Sequence, residues 1–398
     1  MKPKKHENQV PADLAYLHGA FAAVRNVAAE IFHFQPWAKA RLNTRPQKIY
    51  DINGTLLFLD FDVKAEKQEL GTIRTAGNKL VGAPVVSLRL GPKQWNENTG
   101  REKIAAAVKK KFPGYRLVSD LLVCYSYPKI GLMVVLTNKD NDTKTLVFDI
   151  ADYSLIPPKP KEENEGAYAW SYLDEMDEKK KKSNLRKYDQ QTESLQKIFK
   201  ESDVARIKQL TLDRLIDISK LKFRFRVTRE LEFCSHYRYD EAASHHCFVL
   251  HAQQVNDYCA VATCQMILCY YRYFYAQDDI APSLGYSSGS GCPADQSPGY
   301  ESLSNHHIDS SFDTSATWEK ARDQINLLQP LKSGIPGHAR ACAGYSYLSE
   351  LFSGISEKRL YIYDPWPWNS DLKAGGAVYW EDWDSISHTN FVYTELDY

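Results

Sequence analysis

One segment constrains the fold of this chain more than any other: the apolar stretch HAQQVNDYCAVATCQMILCYYRYF, which begins at His251. After Cys259, large apolar residues recur at helical spacing, at Val261, Met266, Ile267 and Tyr270. This spacing predicts a buried α-helix. Because the polar turn Asn256-Asp257 comes directly before Cys259, we expect the cysteine in the first turn of that helix.

The predicted position of Cys259 has a chemical consequence. The first turn of a helix offers unpaired backbone N–H groups and the positive end of the helix dipole, which lower the pKa of a thiol and favour the nucleophilic thiolate. Gln253 lies six residues before Cys259, and Gln254 lies five residues before it. Either amide is suited to donate to an oxyanion formed on a substrate carbonyl. The residues alone leave open which glutamine does so.

A nucleophilic cysteine requires a base, and GIPGHARACAGYSYL offers one, because His338 opens its strand-like run. A second β-run, KRLYIYDPWPWN, reaches its end at Asp364-Pro365. If the two runs pair as adjacent antiparallel strands, Asp364 accepts a hydrogen bond from one nitrogen of His338 while the other nitrogen faces Cys259. The residues therefore predict a Cys-His-Asp triad with a glutamine donor.

The order of these elements resembles the papain-like cysteine peptidases, and it is most similar to their C39-like branch. That branch carries a Q-x5-C-x-x-A helix followed by Met-Ile-Leu-x-Tyr-Tyr, and here the corresponding residues are Gln253, Cys259 and Ala262, followed by MILCYY. DDIAPSLGY, HARACAGY and YIYDPWP are similar to later segments of the family. The resemblance covers roughly residues 245–398. Tyr258 and Ala260 depart from it, since many relatives have an aromatic residue after the cysteine.

The resemblance implies an α+β papain-like fold, in which a nucleophile helix packs on an antiparallel sheet, and thiol peptidase chemistry without metal or cofactor. Cys259 would attack a peptide carbonyl, and Gln253, whose spacing matches the family, would hold the oxyanion together with the Cys259 backbone N–H. His338, oriented by Asp364, would protonate the leaving amine before water releases the acyl group.

Each of these residues also has an ordinary structural interpretation. A single free cysteine is most often a buried small hydrophobe, and Asp364 alone is typical of a turn before proline. His338 alone would more often be a structural strand histidine than a base. Cys264 and Cys269 are rotated about 140° and 280° from Cys259 around the helix, so we predict that both belong to the core.

Two further segments contain residues of chemical interest. CSHYRYDEAASHHC carries five soft metal ligands without the spacing usual for zinc, so we predict no metal site there; they are Cys234, His236, His245, His246 and Cys247. The loop SLGYSSGSGCPADQSPGY separates the nucleophile helix from the His338 strand. Its Ser, Gly and Pro content predicts a mobile wall of the substrate cleft, with Cys292 exposed and uninvolved.

The rest of the chain changes pattern several times, which predicts several units. Short β-rich runs and the helix REKIAAAVKKKF follow an apolar helical N-terminus, and a stretch with 23 charged residues out of 50 begins at Lys159. The predicted units are a helical arm over 1–48, a small α+β accessory domain over 49–156, a charged linker and helix over 157–228, and the papain-like domain over 229–398.

The net charge of zero conceals an asymmetry. Residues 249–398 contain 8 basic and 18 acidic residues, whereas residues 1–248 contain 42 basic and 32 acidic residues. The null balance argues against a general nucleic-acid binder, and the KKKK run is better explained as a solvated face. The opposite charges predict that the N-terminal part docks on the peptidase part and that high salt loosens it.

The sequence also predicts the location of the protein and its activity. The sequence shows no signal peptide and no membrane-spanning apolar run, and its eight cysteines are scattered, so we expect a cytoplasmic protein with free thiols.

The predicted function is hydrolysis of peptide or protein substrates, with self-processing or regulation by the N-terminal domain as an added hypothesis. The alternatives are an acyltransferase, a transglutaminase-like enzyme or another amide hydrolase with the same thioester chemistry, and a noncatalytic peptide-binding protein.

Overall fold

The computed structural model describes residues 3–160, 164–231, 248–351, 353–369 and 374–396. Within these residues the chain is a mixed α+β structure with one large sheet. The cluster of soft metal ligands, Cys234, His236, His245, His246 and Cys247, lies outside the described residues.

Helices occupy the faces of the sheet and several connections between strands. The α-helices are Ala12–Ala28 (α1), Glu97–Lys111 (α2), Glu178–Gln196 (α3), Val204–Ile207 (α4), Leu212–Ser219 (α5), Cys259–Tyr270 (α6), Gln277–Ile280 (α7), Ser297–Leu303 (α8) and Trp318–Asn326 (α9). Short 3₁₀ segments are Phe32–Lys39, Lys79–Val81, Glu201–Asp203, Ala281–Leu284 and Trp383–Ser385.

The strands come from both halves of the chain. Those of the N-terminal half are Arg41–Leu42 (β1), Gln47–Asp51 (β2), Leu56–Ala65 (β3), Gln68–Ala76 (β4), Val85–Leu90 (β5), Arg116–Ser126 (β6), Lys129–Thr137 (β7), Thr143–Asp149 (β8) and Leu155–Ile156 (β9). The later strands are Phe223–Glu230 (β10), Ile308–Asp313 (β11), Leu331–Ile335 (β12), His338–Glu350 (β13), Ser356–Asp364 (β14), Ala377–Asp382 (β15) and Asn390–Leu396 (β16).

The strands of the two halves form one hydrogen-bonded sheet. The order is β11-β16-β12-β13-β14-β15-β5-β4-β3-β2-β6-β7-β8-β9, with β1 on β3 and β10 on β13. The seam between the halves is the antiparallel pair β15–β5, which runs from Val378 opposite Leu90 to Glu381 opposite Ser87. The structure therefore does not show a separate N-terminal sheet, and the predicted domain boundaries stay a prediction.

The hydrophobic core is also continuous across this seam. One cluster of buried apolar side chains extends from Val10 to Val392. The N-terminal helix α1 is buried on all sides from Leu14 to Val27 and packs against β3, β4 and α5. It is thus part of the core, because apolar residues occupy more of its circumference than one face.

The two halves also meet through ion pairs. Arg25 Nη1 lies 2.7 Å from Glu357 Oε1, and Lys187 Nζ lies 3.1 Å from Asp384 Oδ1. Both pairs join a basic residue of the N-terminal half to an acidic residue of the C-terminal half. No helix in the described part of the chain combines the length and the apolarity needed to cross a membrane.

Candidate active site

Cys259 is the first residue of α6, as the helical spacing predicts. The residue before it, Tyr258, has non-helical backbone angles and no side-chain cap. Helix α6 is buried along nearly its whole length and packs mainly against β13. This packing brings the first turn of α6 to the beginning of β13, where His338 lies.

His338 and Asp364 lie on neighbouring strands. His338 is the first residue of β13 and Asp364 is the last residue of β14, and the two strands pair in antiparallel register. The Nε2–H of His338 donates to Asp364 Oδ1 at 2.7 Å. The other ring nitrogen, Nδ1, is buried and has no hydrogen-bond partner among the described residues.

The carboxylate of Asp364 is held by two more donors. The Trp366 backbone N–H donates to Oδ1 at 2.9 Å, and the Tyr379 hydroxyl donates to Oδ2 at 2.8 Å. Burial alone would raise the pKa of Asp364, but His338, Arg340 and the Trp366 N–H bring this pKa below its ordinary value. Asp364 is therefore ionised and acts as an acceptor.

His338 is held in its neutral form. Burial lowers the pKa of His338 to about 4, and the cations Lys129 and Arg340 act in the same direction against the raising effect of Asp364. At neutral pH the ring therefore carries its proton on Nε2, towards Asp364, and presents a lone pair at Nδ1. A lone pair at this position is what a base requires to accept a thiol proton.

The pKa of Cys259 differs from the sequence prediction. Burial raises the pKa of this thiol above its ordinary value, and the charge of Glu165 adds to this. Lys129 and hydrogen bonds from the backbone N–H groups of Ala339 and Ala260 lower it, but they do not offset burial. The predicted lowering of the pKa is wrong for the chain as folded, because the sulfur is excluded from water.

The two glutamines before Cys259 have different surroundings. The buried side chain of Gln253 uses its amide nitrogen to donate to the carbonyls of Val255 at 3.0 Å and Asn256 at 2.6 Å. Gln254 donates from its side chain to Asp278 Oδ1 on α7 at 2.6 Å. Both amide nitrogens thus donate within the chain.

A buried lysine from the N-terminal half adjoins the site. Lys129, at the start of β7, donates from Nζ to the carbonyls of Gly166 at 2.6 Å and Gly337 at 3.2 Å. Gly337 directly precedes His338, and the Lys129 charge lowers the pKa of both Cys259 and His338. No sequence pattern indicates this role of Lys129, because nothing local to the turn Pro128-Lys129 relates it to residues more than 120 positions later.

The site is covered by the N-terminal half. Cys259, His338, Asp364 and Gln253 are each 0% exposed. The indole Nε1–H of Trp366 donates to Asp149 Oδ2 at 2.9 Å, and Asn256 donates from Nδ2 to Ser154 Oγ at 2.8 Å. Residues 164–168, which we call the strap, also cross the site.

The strap is bonded to the loop at residues 285–296, which we call the wall loop. Glu165 and Cys292 form an antiparallel bridge, with N–H···O distances of 2.9 and 3.0 Å. Cys292 is fully buried under this bridge, so the prediction that it is exposed is wrong. Composition predicted a wall but could not indicate that another part of the chain lies on it.

Further sequence predictions concern the other two cysteines of α6, the state of the thiols and metal binding. Cys264 is buried and Cys269 is partly buried on α6, and the cysteines in the described part of the chain are free thiols. Among the described residues there is no group of three His, Cys, Asp or Glu side chains that could hold a metal ion.

Comparison with known proteins identifies the C-terminal part of the chain. Residues 245–389 match the model of the Peptidase_C39 like family. This match confirms the resemblance found in the sequence, and it contains Gln253, Cys259, His338 and Asp364. No curated protein and no solved structure is significantly similar to the chain.

Proposed function

We propose that the chain is a cysteine peptidase that hydrolyses peptide bonds with Cys259 as nucleophile, His338 as base and acid, and Asp364 as the residue that orients His338. The observation that carries this proposal is the 2.7 Å hydrogen bond from His338 Nε2 to Asp364, which leaves the unpartnered Nδ1 for the thiol. The family match over residues 245–389 supports the same assignment.

The reaction follows from these positions. The thiol proton of Cys259 passes to Nδ1 of His338 as the sulfur attacks the substrate carbonyl carbon. His338 then returns the proton to the leaving amine, and a thioester remains. Water, deprotonated by the same nitrogen, hydrolyses the thioester and restores the thiol.

The oxyanion of the tetrahedral intermediate needs donors in this scheme. The backbone N–H of Cys259 opens α6, where the first N–H groups of a helix have no intrahelical partner. Gln253 can join it only if its amide exchanges a carbonyl of the preceding turn for the substrate oxygen. Substrate binding must also displace the cover over Cys259, so we include control of access by the N-terminal half in the proposal.

The experiment compares three full-length chains: wild type, Cys259→Ala and, as a matched cysteine control on the same helix, Cys269→Ala. Each is incubated under reducing conditions with a mixture of proteome-derived peptides, and new termini are identified by mass spectrometry. We expect cleavage by wild type and Cys269→Ala and a loss of at least about 1,000-fold in Cys259→Ala. Cleavage by Cys259→Ala at the wild-type rate would contradict the proposal.

A further inference from the structure

The carboxylate of Glu165, on the strap, lies in a pocket of polar side chains from the C-terminal half. Lys332 Nζ lies 2.5 Å from Oε1. The side chain of Gln296 donates to Oε2 at 2.7 Å, and that of Asn390 donates to Oε1 at 3.4 Å. Every partner named here thus comes from the C-terminal half, and Lys332 and Gln296 lie within the matched family region, while the carboxylate itself comes from outside it.

The pocket is built for a negative charge. Lys332 is fully buried, and Gln296 and Asn390 are 1% and 4% exposed. Among the residues that the structure describes, Glu165 is the carboxylate that pairs with Lys332; the remaining acceptors of Lys332 are Asn390 Oδ1 at 2.6 Å and the Ala294 carbonyl at 2.9 Å. A buried ammonium group without a carboxylate is strongly unfavourable, so an empty pocket would favour binding of another acidic side chain.

The backbone of the strap is bound as an extended peptide is bound. Glu165 exchanges both of its backbone hydrogen bonds with Cys292 of the wall loop. This is the pattern of strand addition, in which main-chain bonds hold a peptide and pockets read its side chains. The wall loop and the pocket together therefore recognise one residue, through its backbone and its carboxylate.

The residue after Glu165 is also restricted. A Cβ atom on Gly166 would lie 2.7 Å from the backbone oxygen of Ser290 and 3.3 Å from the Cα of Gly291. Both obstacles are backbone atoms of the wall loop, which cannot rotate away as a side chain can. The position after the acidic residue therefore has room for glycine only.

This bound segment lies beside the nucleophile. The charge of Glu165 raises the pKa of Cys259, and Lys129 donates to both the Gly166 carbonyl and the Gly337 carbonyl next to His338. The ring of Tyr168 lies against Gly337, where a Cβ atom would be 2.8 Å from it. The strap thus runs between the wall loop and the turn that leads into His338.

We propose that Lys332, Gln296 and Asn390 form a subsite for an acidic side chain in the peptide-binding cleft, and that the strap occupies this subsite as a built-in ligand. The substrates are then extended peptides with glutamate followed by glycine. This proposal rests on the proposed peptidase function and names its substrate class and its occupant in the closed chain.

The first test measures whether Glu165 holds the strap over the site. The rate at which iodoacetamide alkylates Cys259 is followed by mass spectrometry in wild type, Glu165→Gln and Glu357→Gln. Glu357 is the control, because its buried pair with Arg25 lies away from the strap. We expect Glu165→Gln to react at least about tenfold faster than wild type and Glu357→Gln to stay close to it. Equal rates in the two variants would overturn the proposal.

The second test measures recognition in trans. The full-length variant Glu165→Lys/Cys259→Ala places a cation against Lys332, which frees the subsite, and cannot cleave the bound peptide. The probes are a fluorescent peptide with the sequence of residues 164–170, NEGAYAW, and a copy with glutamine in place of the glutamate. Affinities are measured by fluorescence anisotropy. We expect the glutamate peptide to bind at least about tenfold more tightly, and Lys332→Met in the same background to abolish the difference.

Equal affinity for the two peptides, or binding of neither peptide by a folded variant, would overturn the proposal. Far-ultraviolet circular dichroism establishes folding, and if the lysine variant does not fold, the alkylation comparison decides. Failure of the peptidase proposal has a different signature. Cys259→Ala would then still cleave peptides, while the affinity difference, which needs no catalysis, would remain.

Discussion

Asp364 accepts three hydrogen bonds, and their distribution over its two oxygens predicts how substitutions will behave. Oδ1 accepts from His338 and Trp366, and Oδ2 accepts from the Tyr379 hydroxyl. An asparagine at this position keeps an acceptor oxygen in place of Oδ1. The Tyr379 hydroxyl can rotate to accept a hydrogen bond from the new amide nitrogen. An alanine removes every acceptor and leaves buried donors unpaired.

We therefore expect Asp364→Asn to reduce kcat/KM for a cleaved peptide by less than about tenfold and Asp364→Ala to reduce it by at least about 100-fold. Because the Asp364 charge raises the pKa of His338, Asp364→Asn should also move the acid limb of the pH profile to lower pH. Below that limb His338 is protonated and cannot accept the thiol proton. An unchanged limb in the asparagine variant would show that Asp364 serves structure alone.

For single residues, the sequence predicts the place of a site residue in its helix or strand better than it predicts the distant residues that contact it. Helical spacing placed Cys259 at the start of α6, and strand patterns placed His338 and Asp364 at the ends of two paired strands, because these patterns are local. Lys129 and Glu165 escaped prediction because their roles depend on contacts between distant parts of the chain. The catalytic roles themselves stay predictions.

At the scale of the elements, the strap packs closely against the wall loop at Gly291. Gly291 has φ of +81°, and a Cβ atom on it would lie 2.0 Å from the Glu165 carbonyl oxygen. Gly289 has φ of +79°, but a Cβ atom there would meet nothing within 4 Å. The two positions therefore share the backbone strain of a left-handed residue and differ in contact with the strap.

We expect Gly291→Ala to expel the strap and to increase the alkylation rate of Cys259 by at least about tenfold relative to Gly289→Ala. Both variants should lose about 1 kcal/mol of unfolding free energy from strain at positive φ, as measured by urea titration. If the two variants are alkylated at the same rate, the strap does not control access to the thiol.

The elements themselves were predictable where their patterns are strong. The sequence predicts α2, α6 and short β-rich runs in the N-terminal half, and the structure contains both helices within a few residues and strands such as β5 to β8 in that half. It did not predict that β10 would pair with β13 or that β5 would pair with β15. Strand patterns indicate which face of a strand is buried, but they carry little information about which strand lies beside it.

For the whole molecule, the continuous sheet predicts that the peptidase-like half is not independent. Residues 230–398 expressed alone would expose the apolar edge of β15, where Tyr379 and Trp380 are buried in the full chain, and would lose half of the shared core. An exposed apolar edge strand favours aggregation. We expect this fragment to be insoluble or oligomeric in size-exclusion chromatography.

Coexpression with residues 1–229 is the matched control and should restore a soluble complex. A monomeric fragment with a cooperative thermal transition would contradict this expectation.

The charge asymmetry of the sequence predicts that high salt weakens the contact between the two halves. The Lys187–Asp384 pair is half-exposed, so salt will screen it. The Arg25–Glu357 pair is largely buried. In the Glu165–Lys332 pair the acidic residue comes from the N-terminal half and the basic residue from the C-terminal half. Loosening by high salt, which the sequence predicts, therefore stays a prediction that rests mainly on the exposed pair.

The β15–β5 seam also bears on how the chain is made. Its partners, such as Val378 and Leu90, are separated by nearly 290 residues, so the seam can close only after the chain has been synthesised past Val378. Contacts of such long range form late in folding. The strands of the N-terminal half and the strap precede Cys259 in the sequence, so they are synthesised before it. We therefore expect the thiol of Cys259 to become shielded in the same late step that completes the sheet.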